Sequence, residues 1–460
     1  MSPTPPPIHI SDTDQVRRLV MERLVSQMDQ VISRAEEFRI VRAEVSIQGI
    51  DGVSWLGAQR PLARGYWSDR DTDFELAGTG RADMVAGDRT VPFGEVLAAI
   101  QKRLATGQGN ARYFGGFRFD DRGDHAPCWD AFKAHRFILP RFEVLRRDGE
   151  TTFACNMRTD DDIVDVEVEL DQLVFPSSSS DIDLPAPLDR TDRPEREEWL
   201  SLVDETLDRI RRGILQKLVL AREVTLTFTE PPAAPVLLKA LKQRAHERFH
   251  FCFQPDPQSA FVGASPERLY RRDGRGLKTE ALAGTRPRGG TPASDDALRA
   301  DLKSSEKEQR EHAFVVEGIR TALDPLVTGL HCDDVPSVLA LTHAQHLSSR
   351  LGGTLKKDVA DGDVLAALHP TAAVGGVPTD VAMATIAERE PFDRGWYAAP
   401  VGWVGRDAAQ FVVGIRSALL DRERIHLFSG AGIVEGSDPS EEWDEMENKI
   451  GDFLCLFPSK

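Results

Sequence analysis

Apolar residues recur at helical spacing over residues 14–37, where Val16, Leu19, Val20, Leu24, Met28 and Val31 share one face. Shorter alternating runs at residues 41–50 and 137–144 predict strands. Residues 195–212 form an amphipathic pattern built on Trp199, Leu200, Leu202, Val203, Leu207 and Ile210, with Gly213 near its stop. Strand patterns then dominate, over residues 217–228, 249–253, 260–270, 410–420 and 424–434, with long helices between them. The order is no strict strand–helix alternation. It predicts a mixed, largely antiparallel α/β fold with helices outside, not a parallel doubly wound sheet.

Punctuation divides the 460 residues further. Residues 1–14 are Pro-rich and polar and read as a disordered lead-in. Residues 15–175 read as an N-terminal part that completes the fold. The Ser-, Pro- and Asp-rich stretch 176–196 reads as a linker or a surface loop inside one large unit. Residues 197–457 form the remaining part, which carries the segments described below.

Composition narrows the function classes. Hydrophobic residues make up 41% and charged residues 28% of the chain, the balance of a soluble globular protein. No apolar run approaches the ~20 residues a membrane span needs, and the N-terminus has no signal-peptide pattern. A formal net charge of −17 argues against nucleic acid as a partner. It also requires that an anionic substrate meet local positive charge or a metal. The five cysteines are scattered and lack C-x-x-C spacing, which fits reduced thiols and a cytoplasmic location, with neither a disulfide framework nor a zinc site.

Two segments each present a pair of carboxylates one turn apart. In the first, Ser305 and Glu308 have capping-box spacing ahead of a helix through Val315, Val316, Ile319, Ala322 and Leu323. Glu308 falls within the apolar stripe and Glu311 on its flank. In the second, Asp438, Pro439 and Glu441 start a helix whose stripe is Trp443, Met446, Ile450 and Phe453. Glu442, Glu445 and Lys449 share the edge of that stripe. Acids in a first turn also complement the helix dipole, so either helix alone admits a plainer account. The two together suggest an all-oxygen site for a hard cation, and Mg²⁺ fits because it takes one or two carboxylates and keeps water.

Read in order, further segments join these two: Lys217-Leu-Val-Leu-Ala-Arg222, Gly263-Ala-Ser-Pro-Glu267, Leu282-Ala-Gly-Thr-Arg286, Gln345-His346-Leu347, His369-Pro-Thr-Ala-Ala373, Gly414-Ile-Arg416 and Gly430-Ala-Gly432. Together with Glu308, Glu311-His312 and Glu442-x-x-Glu445, the set resembles the chorismate-utilising enzymes. That family includes isochorismate, salicylate, anthranilate and aminodeoxychorismate synthases. The resemblance covers over half the chain, and nine weak pieces in the right order and spacing are highly specific.

The resemblance implies roles that can be set beside the chemistry of each residue. Lys217 matches the general base that activates the water attacking C2, and burial on a strand is expected to help it lose its proton. Glu267 matches the general acid for the departing C4 hydroxyl, and so must be protonated beforehand. Without the motif, a snorkelling lysine and a turn carboxylate would be the safer accounts. Glu311 and Glu445 match direct Mg²⁺ ligands, supported by Glu308 and Glu442. Arg416 and Tyr397 match residues that hold the enolpyruvyl carboxylate. Gly284 and Thr285, with Gly430 and Gly432, match backbone that approaches the same anion. His346 and Lys449 match pocket-lining positions.

Ala373 discriminates within the family. It resembles the isochorismate synthases, where salicylate and anthranilate synthases tend to carry threonine. The expected activity is therefore Mg²⁺-dependent conversion of chorismate to isochorismate, with no obligatory protein partner. The segment 61–84 faintly resembles menaquinone-type members. The alternatives are a pyruvate-releasing or ammonia-using synthase, a siderophore-pathway isochorismate synthase, or an inactive relative.

Overall fold

The computed structural model describes residues 7–32, 39–60, 63–107, 109–122, 125–176, 182–245, 247–340 and 344–458. Two large sheets organise them. One has thirteen strands, running from Ile8–His9 and Ile40–Gln48 at one edge to Lys217–Thr227 and Asp189–Arg193 at the other. The second has ten, among them Gly276–Pro287, Ala344–Leu355 and Pro400–Gly405. Ile8–His9 runs parallel to its neighbour. Every other strand pair among the described residues is antiparallel, as in Lys217–Thr227 against Arg424–Ile433.

The main core lies between the sheets, where Trp129, Phe132, Phe261 and Trp396 pack edge to face. A second core covers the outer face of the larger sheet. There Val16, Val20, Leu24 and Met28 of helix Thr13–Ile32 are buried, beside Leu237, Leu238 and Leu241 of helix Ala234–Arg244. The helical stripe read from the sequence is this buried face. The side chain of Val31 and residues 33–37 of that stretch lie outside the described residues.

The first half of the chain is stitched into both sheets. Arg64–Ser68 pairs with Phe249–Asp256 in the larger sheet, and Arg112–Phe117 pairs with Pro400–Gly405 in the smaller. Two stretches read as irregular contain strands. Ile8–His9 pairs with Ile47–Gln48, and Ile10 is buried beside it, because its apolar residues find a sheet edge within reach of the lead-in. Asp189–Arg193, inside the 176–196 stretch, forms the outer edge strand of the larger sheet. Its five residues are all polar and mostly exposed, which protects a sheet edge and conceals a strand. Residues 1–6 of the lead-in and 177–181 of the linker stretch lie outside the described residues.

Three runs expected as single strands are each two. Residues 137–144 divide between His135–Leu139 and Phe142–Arg147. Residues 260–270 divide between Ser259–Ser265 and Arg268–Asp273, and residues 410–420 between Ala408–Val413 and Ser417–Asp421. In every case the two halves lie in different sheets. The breaks fall at Pro140, Pro266 and Gly414, where a missing N–H or a missing side chain lets the chain leave its ladder. No helix among the described residues is long and apolar enough to cross a membrane.

Candidate active site

A cavity of about 180 Å³ opens where the sheets diverge, and residues from at least seven segments line it. Lys217 enters it from the first position of strand Lys217–Thr227. Its side chain is 11% exposed, with Nζ 3.6 Å from Glu311 Oε1. Gly432 lies close by on the adjacent strand, and a Cβ there would meet Lys217 Cε at 3.0 Å, so a side chain at 432 would crowd the lysine. Gly430 is equally constrained: a Cβ would meet Tyr397 Oη at 3.1 Å and the Leu220 carbonyl at 3.2 Å.

Glu267 sits at the break after Pro266, where the chain leaves one sheet for the other. The strand break frees its carboxyl from the alternation of either ladder. Burial pushes that carboxyl up to about 7, the nearby Glu280 adds to the rise, and Lys217 works against it. Near neutrality it therefore retains much of its proton, as a donor needs. Arg416 occupies the equivalent break after Gly414, with φ +50°, a conformation that non-glycine residues seldom adopt. Its Nη1 donates to Asp452 Oδ2 at 2.7 Å and to the Lys449 carbonyl at 3.3 Å.

The two carboxylate helices approach from different sheets. Helix Glu306–Leu323 packs on Gly276–Pro287 of the smaller sheet, and helix Pro439–Leu454 packs on Arg424–Ile433 of the larger. Glu311 and Glu445 both line the cavity. Lys449 Nζ is 2.7 Å from Glu445 Oε1 and donates to the Gly430 carbonyl at 2.9 Å. Burial raises the Glu442 carboxyl and the neighbouring Glu445 raises it further, whereas Lys449 holds the Glu445 carboxyl below its usual range.

Thirteen of the fifteen residues singled out from the sequence line this one cavity: Lys217, Glu267, Gly284, Thr285, Glu311, His346, Ala373, Tyr397, Arg416, Gly430, Gly432, Glu445 and Lys449. Glu308 and Glu442 do not. Glu308 is buried with Oε1 2.6 Å from Arg286 Nη1, and its Oε2 accepts from the Thr285 N–H at 3.2 Å. It braces the bulged stretch Gly284 to Arg286 of strand Gly276–Pro287. The stripe pointed Glu308 inward correctly but could not say toward which neighbour. Nor does its carboxylate close a capping box: Ser305 Oγ accepts from the Glu308 N–H, while the Ser305 N–H donates to the Asp301 carbonyl.

His346 shares a hydrogen bond of 3.1 Å between Nδ1 and Thr285 Oγ1. Burial lowers its pKa to about 4, helped by the cations Arg416, Lys449 and Arg248, so the imidazole is neutral at physiological pH. Tyr397 stacks on Phe428 with centroids 5.1 Å apart. Phe428 and Arg394 line the cavity too, and the sequence motifs did not reveal them. In a chain of net charge −17 the cavity gathers Lys217, Arg394, Arg416 and Lys449. Such a site suits a small polyanion.

The match to known families covers the same ground. Residues 25–456 fit the family model described as chorismate binding enzyme. The chain belongs to the chorismate-binding enzyme family. Among relatives of this chorismate-binding enzyme, the chloroplastic isochorismate synthase of Catharanthus roseus is 33% identical, over 95% of this chain and 84% of its own. Isochorismate synthase MenF of Escherichia coli (strain K12) is 32% identical, over 95% of this chain and 97% of its own. The solved structure of the menaquinone-specific MenF from Escherichia coli superimposes with a TM-score of 0.81 at 30% identity, covering 95% of this chain and 99% of that one.

Proposed function

We propose that this chorismate-binding enzyme is an isochorismate synthase, which adds water at C2 of chorismate and expels the C4 hydroxyl. The observation that carries the reading is the pairing of Lys217 with a Glu267 carboxyl pushed up to about 7 in one small cavity. An isomerisation of this kind needs a base and an acid at once, and a carboxyl that keeps much of its proton near neutrality can serve as the acid beside a lysine amine as base.

In the proposed mechanism Lys217 takes a proton from the attacking water at its Nζ, and Glu267 gives its proton to the departing C4 oxygen. Exchanging the two oxygens leaves the atoms of the ring in balance. Arg416 and the Tyr397 hydroxyl hold the enolpyruvyl carboxylate. Backbone at Gly284, Thr285, Gly430 and Gly432 lies close to the same group, and at the three glycines a side chain would crowd Glu308, Tyr397 or Lys217. Neutral His346 and the Lys449 ammonium line the remaining wall.

Glu311 and Glu445 fit a magnesium ion, with Glu442 beside Glu445 in support. The donors are all carboxylate oxygens and come from two helices. Among the described residues no cluster of three or more His, Cys, Asp or Glu forms a complete protein cage. Mg²⁺ asks for no such cage, since it keeps water and substrate oxygens as ligands. When bound it would neutralise the ring carboxylate and act as a Lewis acid. Glu308 instead supports the strand at Thr285 and Arg286. The extended match to MenF favours a place in menaquinone biosynthesis.

The test is product analysis by liquid chromatography and mass spectrometry after mixing the protein with chorismate, with and without Mg²⁺ and ammonium. A metal-dependent product of unchanged mass and shifted retention, without pyruvate, is the expected outcome. Salicylate with pyruvate, or an ammonium-dependent amino product, would overturn the assigned reaction.

A further inference from the structure

The strand that carries Lys217 has an unusual outer edge. On one side it pairs along its length with Arg424–Ile433. On the other, residues Lys217 and Leu218 pair with Gly376–Val377, and Glu223 to Thr227 pair with Asp189–Arg193. Between these two short partners no strand covers Val219 to Arg222, where the Val219 N–H donates to the Gly375 carbonyl at 2.8 Å. A carbonyl and an N–H in that gap need partners, since the segment is buried.

Two side chains fill the gap. Arg394 Nη2 donates to the Val219 carbonyl at 2.9 Å, and Glu390 Oε1 accepts from the Ala221 N–H at 2.7 Å. The pair is joined by Nε to Oε2 at 2.7 Å and Nη2 to Oε1 at 2.6 Å. The side chains are 4% and 2% exposed. Arg394 Nη1 reaches across to the Val374 carbonyl at 2.8 Å, next to Ala373. The guanidinium also stacks on Phe119 at 4.4 Å. It lines the catalytic cavity on one side and a second cavity of about 980 Å³ on the other.

We propose that Glu390 and Arg394 form a buried clamp that positions the Lys217 strand against the Ala373 segment for the reaction. Neither residue handles a proton of the substrate. They act as a two-residue substitute for a strand, and carry further along the Lys217 strand the attachment that Lys217, Leu218 and the Val219 N–H make to residues 375–377. An arginine suits the task because its planar fork can serve a carboxylate and two carbonyls together. A displacement of the base by about 1 Å is enough to slow a reaction by roughly a hundredfold.

The proposal rests on the isochorismate synthase reading, so the wild-type enzyme is assayed alongside. Glu390→Gln and Arg394→Lys are compared with Asp361→Asn, which weakens the Arg272–Asp361 pair, also largely buried and outside the cavity lining. Each is assayed with chorismate and Mg²⁺, and kcat is normalised to folded protein by thermal melts. The expected result is a kcat lower by roughly ten- to a hundredfold in both clamp variants, with KM changed much less. The control loses melting temperature and keeps its kcat. Clamp variants that fold and match the wild-type kcat would overturn the clamp. Should Glu390→Gln fail to fold, Arg394→Lys decides alone, because it keeps the charge beside Glu390 and loses only the fork. A wild-type enzyme that makes no isochorismate would instead overturn the reaction assigned above.

Discussion

The chain crosses from one sheet to the other at Pro140–Arg141, at Pro266–Glu267 and at Gly414–Arg416, and the first crossing contrasts with the other two. At each, a strand breaks and a charged residue is released from the alternation that would have fixed its face. Arg141 is closed off by its neighbours, with Asp161 at 2.7 Å, Glu169 at 3.2 Å and the Asn156 carbonyl at 3.0 Å. Glu267 and Arg416 instead line the cavity, the carboxyl raised toward neutrality and the guanidinium lowered by burial while it holds Asp452 at 2.7 Å. The same backbone device yields a structural charge in one place and reactive groups in the other. What separates the cases is the surroundings: Arg141 meets only its structural partners, whereas Glu267 and Arg416 also line a cavity, Arg416 with Asp452 at its back.

The largest effect expected from this contrast lies at Glu267. Glu267→Gln should lower kcat by about two to four orders of magnitude, the range for a lost general acid. In the wild type the acid must hold its proton, so turnover should fall as pH rises through about 7. The glutamine variant has no such proton and should lack that limb. A pH–rate profile of both proteins checks this, and an unchanged limb in the variant would assign the titration to another group. Next in size are the carboxylates on the helices. Glu445→Gln should raise the Mg²⁺ concentration for half-maximal activity at least tenfold or so, by comparison with outer-shell losses of about 10–100-fold. Glu308→Gln should loosen the bulged strand at Gly284 to Arg286 and change that concentration far less. A magnesium titration of each separates the two roles.

Arg141 should behave in the opposite way. Arg141→Ala leaves Asp161 and Glu169 without their shared partner, and both of these are partly exposed. The loss should be about 2 kcal/mol, between the values for buried and surface pairs. Denaturant unfolding measures it, and kcat per folded molecule should remain that of the wild type. A large fall in kcat would erase the distinction between the crossings.

Much of this arrangement was legible in the sequence, because motif chemistry is local. Lys217, Glu311, Glu445 and the glycines lie in short segments that the family resemblance picked out, and the fold brings them to one cavity. The crossings were hidden because apolar alternation continues through them: residues 260–270 and 410–420 each read as one strand. The edge strand Asp189–Arg193 was concealed by its polarity, which is the property that suits it to an edge. Arg394 and Glu390 belong to no motif recognised in the chain. Their role follows from a gap in strand pairing, and a gap of that kind exists only in three dimensions. Glu308 shows the same limit from the other side, since helical periodicity gives a direction and no partner.

The smallest expected effect concerns Ala373, which lines the cavity beside the clamp's contact at Val374. Its N–H donates to Thr371 Oγ1 at 3.2 Å, so the backbone there is already held and a side-chain change should leave the loop in place. Ala373→Thr would then add one hydroxyl to a cavity of about 180 Å³ without moving its walls. A single hydroxyl alters partition between competing outcomes by on the order of 1 kcal/mol. Isochorismate should remain the main product, with a minority of salicylate and pyruvate appearing beside it, read by coupled pyruvate detection. If no pyruvate appears, Ala373 does not set the outcome, and the restraint on elimination must lie in groups fixed by the fold. The Glu390–Arg394 clamp would then be the next place to look, since it holds the same segment from behind.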